Sequence, residues 1–250
     1  MKLISLNAWG CRVTEPLFEF IRQHSETADI FCFQEILKDG KGKTGRDELK
    51  NGFRYISDLL PNHTAYFSEY GDGGYYSESS KDLDFQYGIA CYVRSSFKHN
   101  FVSSISLYDI NRKWEDYSGG FAAGAALVLT VEDYVIENVH GLWQGSIKTD
   151  TRAKIEQSKK IINLAESSMG KKIICGDFNI LPDTQSLQML RDKYQDLIQE
   201  NGVTSTRSSL YPKPLRYSDY AFADRDIKIN DFKVLQEEVS DHLPLYLDFE

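Results

Sequence analysis

The sequence predicts an α/β fold, in the sense of an α+β chain with mixed sheets, and two observations carry this prediction. Short apolar runs of strand length recur along the chain and are rich in β-branched and aromatic residues, as in 30–33 and 172–175. Stretches with the 3.6-residue apolar periodicity of amphipathic helices separate several of these runs. We therefore expect helices and strands to alternate, with several neighbouring strands antiparallel.

The individual elements follow from the same two periodicities. Helical periodicity predicts four helices, with Thr149 and Asp150 as cap candidates for the third: 16–24, 47–60, 151–167 and 184–194. Continuous apolar runs predict buried strands at 2–6, 29–33 and 172–175. Further strand patterns occupy 63–69, 87–94, 101–107, 122–130, 134–140, 217–222 and 245–249.

Length and composition bound the domain organisation and the compartment. With 250 residues, of which 41% are hydrophobic, the chain can bury a large core, and we expect a single domain over residues 1–250. No apolar stretch approaches the roughly 18 residues of a membrane span, and a strand follows residue 1 too closely for a signal peptide. The four cysteines are scattered and predict thiols in a reducing compartment. A cytoplasmic monomer is therefore expected.

Polar side chains stand where several predicted strands end. Asn7 ends the first apolar run, Glu35 closes the second, and Asp177 and Asn179 follow the run at 172–175. Such strand ends should bring acidic groups together at one rim of a sheet. Carboxylates are hard oxygen ligands that suit Mg²⁺ or Mn²⁺, and no Cys or His pair has the spacing of a zinc site. The sequence therefore predicts a site that binds a divalent metal ion and a phosphate group of the substrate, which is attacked in the reaction.

Six segments in a fixed order make the chain resemble the endonuclease/exonuclease/phosphatase superfamily, the deoxyribonuclease-like metal-dependent phosphohydrolases. The resemblance covers nearly the whole length and implies a four-layered sandwich, in which two packed mixed β-sheets are flanked by helices. The segments are Leu6-Asn7-Ala8-Trp9-Gly10, Gln34-Glu35, His140, Gly176-Asp177-Phe178-Asn179, Tyr217-Ser218-Asp219-Tyr220 and Ser240-Asp241-His242.

The resemblance also implies a role for each acidic and amide group. Glu35 would be the principal metal ligand, supported by Asn7 and by Asp241 directly or through water. Asp177 would orient and deprotonate the attacking water, and Asn179 would hold that water or a phosphate oxygen. The alternation Asp177-Phe178-Asn179 places the two polar side chains on one side of an extended backbone. The alternative for this segment is an Asx turn.

Two histidines complete the implied catalytic group. His242 would donate hydrogen bonds to the phosphoryl group, with Asp219 fixing its tautomer and raising its pKa. His140 ends the strand at 134–140, where relatives carry His or Tyr. In deoxyribonuclease-like members this histidine pairs with a glutamate, and Glu69 resembles that position.

Loops carry the features that bear on the substrate. The glycine-rich loop after Glu35 contains Lys41, Lys43 and Arg46, which we expect to contact backbone phosphates, although a solvated loop would look the same. The loops at 71–84 and 108–120 mix aromatic and cationic residues that could stack on a base or a sugar. A net charge of −8 argues against a protein that coats nucleic acid, but not against a nuclease with one basic groove.

The substrate remains open between classes. We expect a phosphodiesterase that acts on nucleic acid, with Mg²⁺ or Mn²⁺ as cofactor. Because Asn7-Ala8-Trp9-Gly10 is similar to sphingomyelinase-like members, an enzyme for a small phosphoester or a phospholipid headgroup is the first alternative. A catalytically silent binding protein is the second, and the intact set of acidic and histidine residues argues against it. His140 in place of the tyrosine of abasic-site endonucleases disfavours a repair role.

Overall fold

The computed structural model describes residues 1–70, 84–107 and 124–250. In these residues two six-stranded mixed sheets pack face to face, and helices cover the outer face of each sheet. The predicted sandwich of two packed mixed sheets flanked by helices is confirmed.

Twelve strands and five α-helices are described. The strands are β1 (Lys2–Asn7), β2 (Ile30–Lys38), β3 (His63–Glu69), β4 (Gln86–Arg94), β5 (His99–Ser106), β6 (Ala125–Val131), β7 (Tyr134–His140), β8 (Lys171–Asp177), β9 (Gln195–Asp196), β10 (Asp219–Ala223), β11 (Ile229–Val234) and β12 (Leu245–Phe249). The helices are α1 (Thr14–His24), α2 (Gly52–Leu59), α3 (Arg152–Glu166), α4 (Gln185–Arg191) and α5 (Leu197–Glu200), with a 3₁₀ turn at Trp9–Cys11.

The order of the strands determines where their ends meet. The first sheet runs β11-β12-β1-β2-β4-β3 and the second runs β5-β6-β7-β8-β10-β9. Each sheet contains one parallel pair, β1 with β2 and β7 with β8, and the other described pairs are antiparallel. Parallel neighbours bring their carboxyl ends to the same rim, so Asn7 lies opposite Gln34 and His140 lies opposite Asp177.

Alternation along the strands builds two apolar layers. In β1, Ile4 and Leu6 pack with Leu17 and Ile21 of α1, whereas Leu3 belongs to the larger core that includes residues of the other sheet. Because side chains of a strand point alternately to its two faces, one strand serves both layers. Buried β-branched and aromatic residues therefore explain why these segments form central strands.

A buried polar group joins the two sheets beneath the rim. Asn138 of β7 donates from Nδ2 to the backbone oxygens of Phe33 and Ala90, each at 3.1 Å. Its Oδ1 accepts a hydrogen bond of 2.7 Å from Gln34 Nε2. Since the two backbone oxygens belong to paired residues of β2 and β4, Asn138 connects the second sheet to a defined point of the first.

Several boundaries differ from the sequence prediction. The helix predicted at 47–60 begins only at Gly52, because Lys43 and Leu49 form an isolated β-bridge and Asp47 has a positive φ of 65°. Thr151, not Asp150, caps α3, while Asp150 accepts hydrogen bonds from the first turn of α4. The short elements β9 and α5 and the strand β11 had no recognised pattern.

Two further expectations meet the structure here. The four cysteines are buried thiols and none forms a disulfide. Within the described ranges, no helix combines the length and apolar character needed to cross the bilayer. The loops at 71–84 and 108–120, which could stack on a base or a sugar, lie outside the described part of the chain except for residue 84.

Candidate active site

A β-bulge in β2 turns Glu35 toward the rim. The pairing of β2 with β4 shifts between Phe33 and Ile36, and Glu35 has a φ of 56°, in the left-handed region. Bulges bend a strand and redirect a side chain, and a left-handed non-glycine residue is uncommon enough to indicate a function. The backbone N–H of Glu35 donates to the hydroxyl of Tyr70 at 3.1 Å, which holds this conformation.

Asn7 links the carboxylates of the two sheets. Its Nδ2 donates to Glu35 Oε1 and to Asp177 Oδ2, both at 3.0 Å, and its Oδ1 accepts from the Trp9 N–H at 3.0 Å. The structure thus brings Asn7, Glu35 and Asp177 together as the sequence predicted. However, the amide nitrogen of Asn7 faces the carboxylates, so direct ligation of a metal by its oxygen would require the amide to turn over.

Asp177 and Asn179 reach the same site by an Asx turn and not by an extended strand. Asp177 Oδ1 accepts the N–H of Asn179 at 2.9 Å and the hydroxyl of Ser218 at 2.5 Å. Asn179 has a φ of 56°, and β8 ends at Asp177, so the predicted extended geometry is wrong for this segment. Asn179 Nδ2 donates to Gly141 O at 3.0 Å, and its Oδ1 accepts from Lys148 Nζ.

His242 is held by Asp219. Its Nδ1 lies 2.8 and 2.9 Å from the two oxygens of Asp219, so Nδ1–H donates to the carboxylate and Nε2 faces the pocket. Nε2 lies 3.6 Å from Asp177 Oδ2 and 3.8 Å from Asp241 Oδ1. Burial and the Arg207 guanidinium lower the pKa of His242, but the surrounding carboxylates outweigh them and raise it above its ordinary value.

His140 is held by a tyrosine. The Tyr70 hydroxyl lies 2.6 Å from His140 Nδ1 and already accepts the Glu35 N–H, so its proton is available for Nδ1. This leaves the proton of a neutral His140 on Nε2, which lies 3.8 Å from Glu35 Oε1 and 3.8 Å from Asp177 Oδ2. Burial lowers the pKa of His140 and raises the pKa of Tyr70 well above its ordinary value. The pair therefore supplies a neutral Nε2–H donor.

The donor set fits a hard divalent cation. Glu35, His140 and Asp177 each offer a ligand atom within 4.8 Å of the others. The Glu35 and Asp177 carboxylates converge on one amide nitrogen, and a divalent cation between them would relieve their mutual repulsion. A protonated His140 Nε2 cannot ligate a metal, so the carboxylates are the better ligands.

These groups line a cavity of about 290 Å³ whose wall is cationic and aromatic. The wall contains Trp9, Trp143 and Tyr211, together with Arg12, Lys148, Arg207 and Lys213.

Two of these cations, Arg12 and Arg207, are each held by a carboxylate and each stack on an aromatic ring. Arg12 lies 2.8 Å from Glu48 and 4.7 Å from the ring centre of Trp9. Arg207 lies 3.2 Å from Asp241 and its guanidinium carbon lies 4.1 Å from the ring centre of Tyr211. Guanidinium groups held in this way are preorganised for oxyanions.

A model of the endonuclease/exonuclease/phosphatase family matches residues 4–242. The chain belongs to this family. It is therefore a phosphoric ester hydrolase, of a family that is typically dependent on divalent metals.

Solved structures show the same fold. The mannosyl-6-phosphatase of Bacteroides thetaiotaomicron has a TM-score of 0.68 and 17% identity, over 100% of this chain and 99% of that chain. The human Nocturnin catalytic domain with bound sulfate has a TM-score of 0.65 and 16% identity, over 100% and 93%. ANGEL2, a 2′,3′-cyclic phosphatase in complex with adenosine-2′,3′-vanadate, has a TM-score of 0.66 and 14% identity, over 99% and 94%. Comparison with curated protein sequences gives no match.

In this endonuclease/exonuclease/phosphatase family protein, the expected partner of His140 is wrong. Glu69 is exposed and contacts Gln86 at 3.5 Å, whereas Tyr70, the next residue, reaches His140. Alternation at the end of β3 sends Glu69 to the outside and Tyr70 to the inside. A tyrosine hydroxyl thus takes the orienting role that the sequence assigned to a glutamate.

The basic loop of this family protein does not reach the pocket. Lys41, Lys43 and Arg46 are exposed and none lines the cavity. The strand β2 continues to Lys38, so the loop does not start directly after Glu35 as predicted. Contact of the three cations with a distant part of a long substrate stays a prediction.

The residues that sequence reasoning missed are the cations of the wall. One of these cations, Arg12, forms an ion pair with the buried Glu48, and this is how the segment 41–50 contacts the cavity wall in the described contacts. Lys148 follows His140 closely in sequence and could have been suspected. Arg207 stands in a segment without periodicity or motif, and nothing in the sequence singled it out.

Replacing Tyr70 by phenylalanine is expected to lower kcat about 10- to 100-fold, the effect typical of losing a partner that orients an active histidine. The ring would keep its packing, but His140 would lose the donor that fixes its tautomer. Steady-state kinetics and the ¹⁵N shifts of the imidazole measure the two effects. Tyr66→Phe is the matched control, because the Tyr66 hydroxyl makes the same kind of contact with His99 Nδ1, at 2.7 Å. Equal kinetics for the two variants would refute the role of Tyr70.

Proposed function

We propose that this chain hydrolyses a small phosphoester with the help of Mg²⁺ or Mn²⁺. One observation carries the proposal: four cations, four aromatic side chains and the carboxylate and histidine cluster line the same cavity of about 290 Å³. A cavity of this size accommodates a small ligand and not a length of polynucleotide.

Glu35 and Asp177 would hold the metal, with Asp241 and a reoriented Asn7 as additional ligands. When bound, the metal would neutralise phosphoryl oxygens and lower the pKa of a water. Oxygen ligands favour Mg²⁺ or Mn²⁺ over softer ions.

Asp177 would orient the attacking water and accept its proton. Its Oδ1 accepts from both Ser218 and Asn179, whereas Oδ2 accepts only from Asn7 in the described hydrogen bonds, so Oδ2 has the lone pair for the water. Burial raises the pKa of Asp177, but the neighbouring His242, Lys148 and Arg207 outweigh burial and hold that pKa well below its ordinary value. The carboxylate is therefore ionised, as a proton acceptor must be, over the neutral range.

His140 and His242 would stabilise the phosphoryl oxygens. His140 offers a neutral Nε2–H, and His242, with its raised pKa, can carry a proton on Nε2 when a phosphate is present. Donors aimed at the charge that develops in the transition state give the largest single contribution in many enzymes. Asn179 is engaged with Gly141 and Lys148, so its role is to position these neighbours and not to bind the phosphate itself.

Nucleic acid is the second candidate, and the exposed cations of 38–46 are the observation that favours it. A polynucleotide could place its scissile phosphate in the cavity and cross Lys41, Lys43 and Arg46 outside it. The net charge of −8 and the position of these cations outside the cavity favour the small substrate.

The triple variant Lys41→Ala, Lys43→Ala, Arg46→Ala separates the two candidates. We expect the variant to have the same kcat/KM as wild-type on each small substrate tested: sugar phosphates, inositol phosphates or nitrophenyl phosphates. We expect both proteins to act poorly on DNA and RNA. The assay compares these substrates, with sphingomyelin, across a range of salt concentrations. A preference for polynucleotide, with a raised KM and a flatter salt dependence in the variant, would establish the nuclease instead.

A further inference from the structure

We propose that Arg207 and Lys148 form a phosphate clamp that selects phosphomonoesters over phosphodiesters. The inference rests on the proposed function, because it names the substrate class of the same site.

Arg207 is a buried cation with donor capacity left over. Its side chain is in the cavity wall, and the residue is only 7% exposed. Nη1 donates to His242 Nε2 and to Asp241 Oδ2, while Nε is buried with no hydrogen-bond partner in the described structure. Arg207 lines the cavity and buried donors are almost always paired, so an acceptor supplied by a ligand would complete the hydrogen bonding of this guanidinium.

The contact of Arg207 with His242 indicates the same ligand. Because His242 Nδ1–H donates to Asp219, Nε2 accepts from the guanidinium when the histidine is neutral. A phosphate oxygen that entered beside this contact would accept from the guanidinium in place of the imidazole. The guanidinium is thus placed to bind an oxyanion, and the Tyr211 ring, whose centre lies 4.1 Å from the guanidinium carbon, keeps it in place.

Lys148 lines the same cavity from the segment between β7 and α3. It is 4% exposed and its Nζ donates to Asn179 Oδ1. Lys154 fixes the backbone next to the Lys148–Asn179 contact, because its Nζ donates to the backbone oxygens of Ile147 and Asn179. Burial is the main reason that the pKa of Lys148 is lowered to about 8, and the charges of Arg207 and Lys213 lower it further, so the three cations are close in space.

The chemistry of the two ester classes explains the selection. A phosphomonoester has three terminal oxygens and carries close to two negative charges at neutral pH, whereas a diester has two terminal oxygens and one charge. His140 and His242 can serve two terminal oxygens of either class. Arg207 and Lys148 add donors and charge that a third terminal oxygen can use. In a diester an ester oxygen with its carbon substituent would take that place against the guanidinium.

The test compares p-nitrophenyl phosphate with bis(p-nitrophenyl) phosphate, which share a leaving group. We expect wild-type to have the higher kcat/KM for the monoester, and Arg207→Gln to lower that value about 10²-fold while the diester value changes little. Arg207→Lys keeps the charge, so its kcat/KM for the monoester should lie between the values of wild-type and Arg207→Gln. This variant also covers the case in which Arg207→Gln does not fold. Arg216→Gln is the matched control, because Arg216 is an exposed arginine of the same segment. A preference for the diester, or an equal loss on both substrates, would overturn the clamp.

Binding of inorganic phosphate, measured by titration calorimetry, separates this inference from the proposed function. We expect Arg207→Gln and Lys148→Met each to weaken phosphate binding about 10- to 100-fold, and Arg216→Gln to leave it unchanged. Such losses in a protein that hydrolyses no ester would leave the clamp standing and refute the proposed function. Phosphate binding that is unchanged in both variants would refute the clamp, even if the esters are hydrolysed.

Discussion

Excess chelator is expected to abolish phosphoester hydrolysis, and Mg²⁺ or Mn²⁺ is expected to restore it. Glu35 and Asp177 converge on the amide of Asn7, and a divalent cation would relieve their repulsion. The same cation would neutralise charge on the phosphoryl group, which no side chain of the cavity can do as strongly. Initial rates measured across a metal titration check the prediction.

Glu35→Gln supplies the control for this experiment. The variant keeps the size of the side chain but loses one anionic ligand, so half-maximal activity should require more metal. Metal should also raise the Tm of wild-type more than that of the variant, because a ligand that binds the folded state stabilises it. Full turnover in excess chelator would exclude the metal mechanism.

Asp177→Asn is expected to lower kcat by at least about 10²-fold with the fold intact. The amide oxygen can still accept from Ser218 and from the Asn179 N–H, so the Asx turn survives. What is lost is the charge on Oδ2, which under the proposed function would help to hold the metal and would accept the proton of water. Kinetics at saturating metal and substrate, with circular dichroism as a check on folding, measure the effect.

Asp196→Asn is the matched control for that variant. Asp196 is a buried aspartate that caps α5 by accepting N–H groups of Ile198 and Gln199, and it does not line the cavity. The Asp196→Asn variant should be somewhat less stable than wild-type and should keep the wild-type kcat. Near wild-type rates in Asp177→Asn, or a similar loss of rate in both variants, would remove Asp177 from the reaction.

The sequence predicted those site residues that stand at strand ends. Asn7, Glu35, His140 and Asp177 follow apolar runs long enough to be recognised, and parallel pairing carries their ends to one rim. At these positions the end of the apolar run in the sequence coincides with the end of the strand at the rim. The apolar pattern is therefore sufficient to place these residues at the site.

Residues whose position depends on a change of strand geometry could not be predicted in the same way. The bulge at Glu35 lets β2 continue to Lys38, which takes Lys41 and Lys43 away from the cavity. Whether Glu69 or Tyr70 faces His140 depends on the register of β3, and a shift of one residue exchanges the two. Arg207 reaches His242 through tertiary packing alone.

The hydrogen bonds of Asn138 also affect which collapsed molecules persist. If the two sheets packed with a different offset, the buried Asn138 amide would lose the backbone oxygens of Phe33 and Ala90 as acceptors in a dry interface. Each unpaired group would cost about 1–3 kcal/mol, a sizeable part of the roughly 5–15 kcal/mol that keeps a domain folded. Molecules with displaced sheets should therefore unfold again and not accumulate as compact, inactive species. The alignment of Glu35 with His140 is in this way selected during folding, by groups that never meet the substrate.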